Sequence, residues 1–474
     1  MSAASHEVTL RAELGALLGA DGLLSDPQVI APLLVDHHGR YHGRALAVAQ
    51  PHTLEQVAAL VRWCNERRVG LVPQGGNTGY CGGATPDASG RQVLLLLRRM
   101  NRIRTIDAAN FSMIAEAGCV LASVQRAAAE ADRYFPLSLG AEGSCQLGGN
   151  LGTNAGGVNV VRYGMTRELV LGVEAVLGDG QVLHGLKSLR KDNTGYDLKS
   201  LLIGSEGTLG VITAAALKLW PQPRSTATAF LAIRSPADAI ALLGELRAAS
   251  GERLSSFELL PRIAIELTAR HIAGVTDPLG EPHPWYVLCE LSSAGQEPLG
   301  ELLQQLLTGA AERGLLVDAV LATSERVRAA FWRLRETVPE AQRLDGASIK
   351  HDISVPITSL AAFIDEAGSW VRSQVPEAQL FCYGHAGDGN LHFNLHCPGN
   401  ATVRAEFLGR EAQIRRAIHE LVARYHGSIS AEHGIGVLKR EELARYADPA
   451  ALAAMRAIKQ ALDPRGIMNP GKVL

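Results

Sequence analysis

Apolar residues at Leu54, Val57, Leu60, Val61 and Cys64 recur every three to four positions, which predicts an amphipathic helix. Thr53 with Gln56 can close a capping box at its start. Ala45 to Gln50 before it and Val69 to Pro73 after it read as strands, giving a β-α-β unit that follows a short amphipathic helix over residues 8 to 20. Strand-like runs continue at Val93 to Leu97 and Ser112 to Glu116, and Leu169 to Leu177, Asp179-Gly180 and Val182-Leu183 read as a hairpin. Pro221-Gln222-Pro223-Arg224 then breaks the pattern and marks a boundary. Beyond it, strand runs (Ala229 to Ile233, Trp285 to Leu291) alternate with helical ones (Ala237 to Ala248, Leu299 to Ala311, Ser324 to Arg335), the pattern of an α+β domain. Phe407, Ile414, Ile418 and Leu421 add a helical stripe, and Asp448-Pro449 opens a last helix through Leu462.

Glycine punctuates this pattern in three places. Pro73-Gln74-Gly75-Gly76-Asn77-Thr78-Gly79 follows a strand directly; Gly140 to Gly157 and Ile203 to Ile212 are the other two. Such loops leave backbone N–H groups free and carry few Cβ atoms to hold a ligand away, so a pyrophosphate is the natural occupant. Taken alone, the first loop is also compatible with a flexible surface loop. Three glycine loops within one domain imply an extended ligand larger than a mononucleotide. No G-x-G-x-x-G follows a strand and opens a helix, and no G-x-x-x-x-G-K-[ST] occurs, which argues against a nicotinamide Rossmann site and a P-loop.

A second chemistry stands near residue 390. Asp388-Gly389 carries the signal of a two-residue turn, and a hairpin closed there pairs His385 with His392. Directly opposed side chains stand about 5 Å apart at Cβ, so two imidazoles can converge on one ion, the alternative being separate turn and strand residues with satisfied histidines. Asn394 and His396 continue that face, while Phe393 and Leu395 point to an apolar, buried one. A catalytic metal takes three protein ligands, and Glu432-His433 is the best source of the third, with Gly434 supplying a turn.

Composition narrows the field. A chain of 474 residues exceeds one ordinary core and implies two or three domains. With a net charge of −2 and no Lys/Arg cluster, nucleic acid is not an expected partner. Neither a secretory signal nor a membrane span is expected, which places the protein in the cytoplasm by default. Seven cysteines without a C-x-x-C pair read as free thiols.

The segments PQGGNTG, GGNLGTNAGG, IGSEGTLGVIT, GHAGDGNLHFN, SAEHGIG and NPGK together resemble the vanillyl-alcohol oxidase (PCMH-type) flavoproteins over nearly all of residues 35 to 474. The nearest branch holds the D-lactate dehydrogenases, the glycolate oxidase flavin subunit and D-2-hydroxyglutarate dehydrogenase. The resemblance implies an α+β protein with an FAD-binding domain at 1–222 (core about 40–222), a substrate or cap domain with antiparallel sheet at 223–428, and a segment 429–474 that completes the FAD domain. It implies FAD held noncovalently, since the first loop has no His and Cys81 lies past its tight part. It assigns the diphosphate to Pro73, Gly75, Gly76, Asn77, Thr78 and Gly79, and the flavin and ribityl chain to Gly143, Gly148, Gly149, Thr153, Asn154 and Gly156. Glu206, Gly207, Ile212 and Asn469 are implied as further FAD contacts.

For the reaction, the resemblance makes His385, His392 and Glu432 the ligands of a divalent ion, zinc first and manganese or ferrous iron next, with His433 as base and substrate contact. Arg335 and Lys350, fifteen residues apart, and Asn394 match carboxylate contacts of the D-2-hydroxyglutarate members. Pro339 stands where those members carry a hydroxyl residue, which loosens the choice of dicarboxylate and admits D-malate. The expectation is oxidation of a D-2-hydroxy acid to the 2-oxo acid, with D-lactate or glycolate as the enzyme alternative. Electron-transfer flavoprotein or quinone is the implied acceptor, and a homodimer the implied assembly. Outside this class, the residues alone also fit a flavin-free metallohydrolase or a nucleotide-binding module.

Overall fold

The computed structural model describes residues 3–474, which divide into two compact units. Of the described residues, the first comprises those up to 156, 165–222 and 433–474; the second comprises 157–164 and 223–432. The excursion at 157–164 has no mark in the sequence. It joins the second unit through residues such as Arg162, whose guanidinium donates to the Ser292 carbonyl at 2.5 Å.

In the first unit, the helix Leu54–Arg67 forms where its apolar stripe predicts. Thr53 caps it by accepting the Gln56 N–H at 3.2 Å, while the Gln56 side chain accepts from His52 rather than from Thr53. The flanking strands Ala47–Ala49 and Gly70–Gln74 do not pair with each other. Both lie parallel to Gln92–Leu96, which inserts between them, and Leu23–Leu24 adds an antiparallel edge. The C-terminal tail closes the other edge: Leu71 donates to the Ile467 carbonyl and accepts from Asn469, each at 2.8 Å. A second, antiparallel sheet runs Ile103–Asp107, Ser112–Glu116, Gly210–Lys218, Val170–Leu177, Val182–His184. Its last two strands are the hairpin that Asp179-Gly180 announces, with Gly180 at φ +82°.

The second unit carries two antiparallel sheets. One orders Leu254–Pro261, Trp285–Ser293, Ser225–Ile233 and Asp318–Leu321. The other is built around Asn390–Cys397, flanked by Gln379–Tyr383 on one side and by Ala347–Ile349 and Asp352–Ser354 on the other. The polar and apolar residues of Asn390–Cys397 divide between its two faces as expected, but both faces are covered, so the polar one is buried as well. Phe393 packs on Phe363 with ring centroids 5.4 Å apart. On the opposite face, Asn394 and His396 donate to Gln342 and Asp345 of the helix Glu325–Asp345, at 3.0 and 2.8 Å. No helix among the described residues is long and apolar enough to cross a membrane.

Candidate active site

The glycine loops of the first unit meet around a groove. Its wall runs from Pro73 through Gly79, continues along Gly148, Gly149 and Thr153, and ends on Glu206, Gly207, Ile212 and His433. Close packing explains several of the glycines. A Cβ on Gly76 would stand 2.2 Å from the Ser144 carbonyl oxygen, and one on Gly207, at φ +73°, 2.9 Å from the Pro73 ring. The N–H groups of Gly75, Gly76, Asn77, Thr78 and Gly79 donate to no acceptor among the described residues. Gln74 Oε1, Gln146 Oε1 and Asn150 Oδ1, all buried on residues of this wall, likewise lack a protein partner. Free donors in a row beside unpaired acceptors fit a ligand with both a pyrophosphate and a hydrogen-bonding heterocycle. Gly76→Ala should therefore empty the groove: the absorbance ratio of bound flavin to protein is expected to fall at least tenfold, whereas Gly140→Ala, whose Cβ would meet nothing within 4 Å, should leave it unchanged.

Four residues assigned to the cofactor do not line this groove. Gly143 and Gly156 lie off it. Asn154 is the left-handed cap of the helix Leu147–Thr153, and its Oδ1 accepts the Arg167 N–H at 2.8 Å. Asn469 donates to the carbonyls of Gly83 and Glu206 at 2.9 and 2.7 Å, with Oδ1 buried and unpaired. Glu206 does line the wall, yet its carboxylate is committed to the N–H groups of Ile435 and Gly436 at 2.7 and 2.8 Å. It thereby fixes the turn that follows His433. Burial pushes its pKa up against those two donors. Sequence reasoning passed over Gln74, Gln146 and Asn150 because polar residues inside a glycine-rich run look like ordinary loop solvation.

The second unit gathers His385, His392 and Glu432, whose ligating atoms all lie within 4.8 Å of one another. The route differs from a tight hairpin. His392 pairs with Tyr383, not His385, because residues 384–389 form a six-residue connection. That connection is held sideways: Gly384 and Leu259 exchange backbone hydrogen bonds at 2.9 and 3.0 Å, and Gly387 donates to Phe257 at 3.1 Å. A turn between His385 and Asp388 then brings the two imidazoles to a centroid distance of 5.5 Å. His385 Nε2 stands 3.6 Å from Glu432 Oε1. Two ligands about 2.1 Å from a tetrahedral zinc stand about 3.4 Å apart, so this spacing suits one ion.

Electrostatics point the same way. Burial pushes Glu432 up to about 7; Asp352, Asp388 and Glu258 reinforce the shift and His385 opposes it. Burial likewise takes Asp388 up to about 6. Crowded carboxylates that resist their own charge are relieved by a cation. Glu258 is the exception. Burial would raise it, but the imidazole of His385 and the guanidinium of Arg335 hold it down at about 2.

Of the residues expected to contact substrate carboxylates, Arg335 is nine-tenths buried and reaches Glu258 through Nε at 2.7 Å, beside the ring of Tyr383. Pro339, inside the same helix, lacks the N–H that would bond the Arg335 carbonyl. Lys350 is exposed, in the break between Ala347–Ile349 and Asp352–Ser354. Asn394 is 2% exposed; Gln342 takes its amide N–H and the His351 N–H fills its oxygen.

Two family descriptions match: "FAD linked oxidases, C-terminal domain" over residues 222–473 and "FAD binding domain" over 45–185. The chain belongs to the FAD-linked oxidases of the PCMH type, and FAD is its cofactor. It is 40% identical over 458 residues to the mitochondrial D-2-hydroxyglutarate dehydrogenase of Bos taurus, covering 95% of this chain and 81% of the relative. With the D-2-hydroxyglutarate dehydrogenase of Xanthomonas citri pv. viticola it shares 38% identity over 447 residues, 93% of each chain. Among solved structures, substrate-bound p-cresol methylhydroxylase superposes with a TM-score of 0.78 at 17% identity, covering 100% of this chain and 97% of that one, a likeness of fold.

Proposed function

We propose that the protein oxidises a D-2-hydroxy acid to the 2-oxo acid, with D-2-hydroxyglutarate as the first candidate and D-malate as the next. The observation that carries this reading is the His385, His392 and Glu432 cluster in a chain that also builds an FAD groove. Pro73–Gly79, Gly148, Gly149 and Thr153 would hold FAD, which would supply a hydride acceptor at its N5. His385, His392 and Glu432 would hold a divalent ion, zinc by the chemistry of a His2Glu set, which would supply Lewis-acid polarisation of the substrate hydroxyl.

The chain's own residues do the rest. His385, His392 and Glu432 would hold the ion with three donors, beside which the hydroxyl and carboxylate oxygens of the substrate would sit. His433, bonded in sequence to Glu432, takes the hydroxyl proton as general base. Glu206 holds the backbone after it, and the Tyr80 ring lies 4.5 Å from its imidazole. The second carboxylate of a dicarboxylate falls to Arg335 and Lys350, whose charges suit it.

D-Lactate or glycolate is the second reading, and one observation favours it: Arg335 Nε and both ends of the Asn394 amide are already engaged by protein groups. Lys350→Ala separates the two. Loss of a charged hydrogen bond costs about 1.5–3 kcal/mol, so kcat/KM for D-2-hydroxyglutarate should fall roughly 10- to 100-fold with little change for D-lactate. Equal loss on both substrates would favour the monocarboxylate.

A further inference from the structure

Glu258 is absent from every assignment above, yet its carboxylate bonds both a proposed ligand and the proposed substrate arginine. It sits on the strand Leu254–Pro261, 0% exposed, among residues that are all buried. Its Oε1 accepts from His385 Nδ1 at 2.7 Å, and its Oε2 accepts from Arg335 Nε at 2.7 Å. A fully buried carboxylate is retained at a cost unless both oxygens are satisfied, and here two cationic or polarised donors satisfy them.

We infer that Glu258 is the positioning residue of the metal site: it fixes His385 with Nε2 toward Glu432 and His392, and anchors Arg335 beside them. The inference rests on the metal site proposed above and deepens it. A carboxylate oxygen only accepts, so His385 Nδ1 carries the proton and the Nε2 lone pair is left for the ion. Nε2 is the atom that stands 3.6 Å from Glu432 Oε1. The arrangement needs the lateral pairing of Gly384 with Leu259, which places His385 next to Glu258. The orientation of His385 thus depends on a residue 127 positions away.

The test uses flavin-loaded enzyme stripped with chelator and titrated with zinc chloride, reading bound zinc by competition with a chromophoric chelator. Three variants are compared with the native chain: Glu258→Gln, Glu258→Asp and Glu290→Gln. Glu290 is another buried carboxylate of the same unit, bound to Arg328 and Trp332. Loss of a carboxylate behind a ligating His weakens metal affinity about 10- to 100-fold, so the zinc Kd of Glu258→Gln should rise by that factor. Glu258→Asp should fall between it and the native chain, and Glu290→Gln should match the native Kd even if its Tm drops. An unchanged Kd in folded, flavin-loaded Glu258→Gln overturns the inference. Should that variant fail to fold, an unchanged Kd in Glu258→Asp overturns it instead. A rise as large in Glu290→Gln also overturns it, because the effect would then be general destabilisation. A native chain that binds no zinc at all refutes the metal site itself, and is told apart from these outcomes by the native titration alone.

Discussion

His392→Ala is expected to cut turnover of the preferred 2-hydroxy acid by 10³-fold or more while leaving the flavin absorbance band intact. His392 lies on the central strand Asn390–Cys397, beside Tyr383 on one side and Asp352 on the other, so its backbone is held independently of its imidazole. Removing the ring would leave two of the three proposed ligands, His385 and Glu432, and two ligands hold a divalent ion poorly. Lewis-acid assistance contributes several kcal/mol of transition-state stabilisation, and each 1.36 kcal/mol is a factor of ten. The groove residues belong to the other unit, so flavin content should not follow activity. Dialysis against a chelator should reproduce the loss in the native chain, and added zinc or manganese should restore it there but not in the variant. Full activity after both treatments would make the cluster structural.

His433→Ala is expected to lower kcat about 10²- to 10⁴-fold with ion and flavin content unchanged, the usual range for a lost general base. Two features place this residue. It borders the groove together with Tyr80, and the backbone after it turns at Gly434, φ +71°, under two hydrogen bonds to Glu206. A Cβ on Gly434 would meet Glu206 Oε1 at 2.7 Å, so the turn and the carboxylate are fitted to each other. Steady-state kinetics at saturating ion measure the effect. A rise in KM with kcat intact would make His433 a binding contact rather than a base.

How much of this was legible beforehand depends on how local the cause is. The glycine loops announce the groove because a missing Cβ is a property of the residue itself, and Gly75, Gly76, Gly148 and Gly149 stand where the chain crosses closely. Leu54–Arg67 and the hairpin around Asp179-Gly180 are legible for the same reason, since capping and turn chemistry act within a few residues. The pairing of strands is not local. Nothing in the β-α-β pattern says that Gln92–Leu96 will insert between the first two strands. The meeting of His385 with His392 is a sharper case: the two imidazoles do approach, but through a loop zipped to Leu259 rather than through a two-residue turn. Period-two spacing cannot distinguish those geometries, because the deciding partner lies more than a hundred residues upstream. Glu258 was invisible for that reason, since its partners His385 and Arg335 stand 127 and 77 positions away. Asn394 shows the converse, a polar residue on the expected face whose amide is taken up by Gln342 and His351.

The central claim is that a D-2-hydroxy acid delivers its electrons to the FAD of this chain with the help of the ion. Anaerobic mixing of ion-replete protein with D-2-hydroxyglutarate, followed at the flavin absorbance maximum, tests it most directly. The account predicts full bleaching by the D enantiomer, none by the L enantiomer, and slowing by 10³-fold or more after chelation. A flavin band that stays oxidised with every D-2-hydroxy acid in ion-replete protein would contradict it.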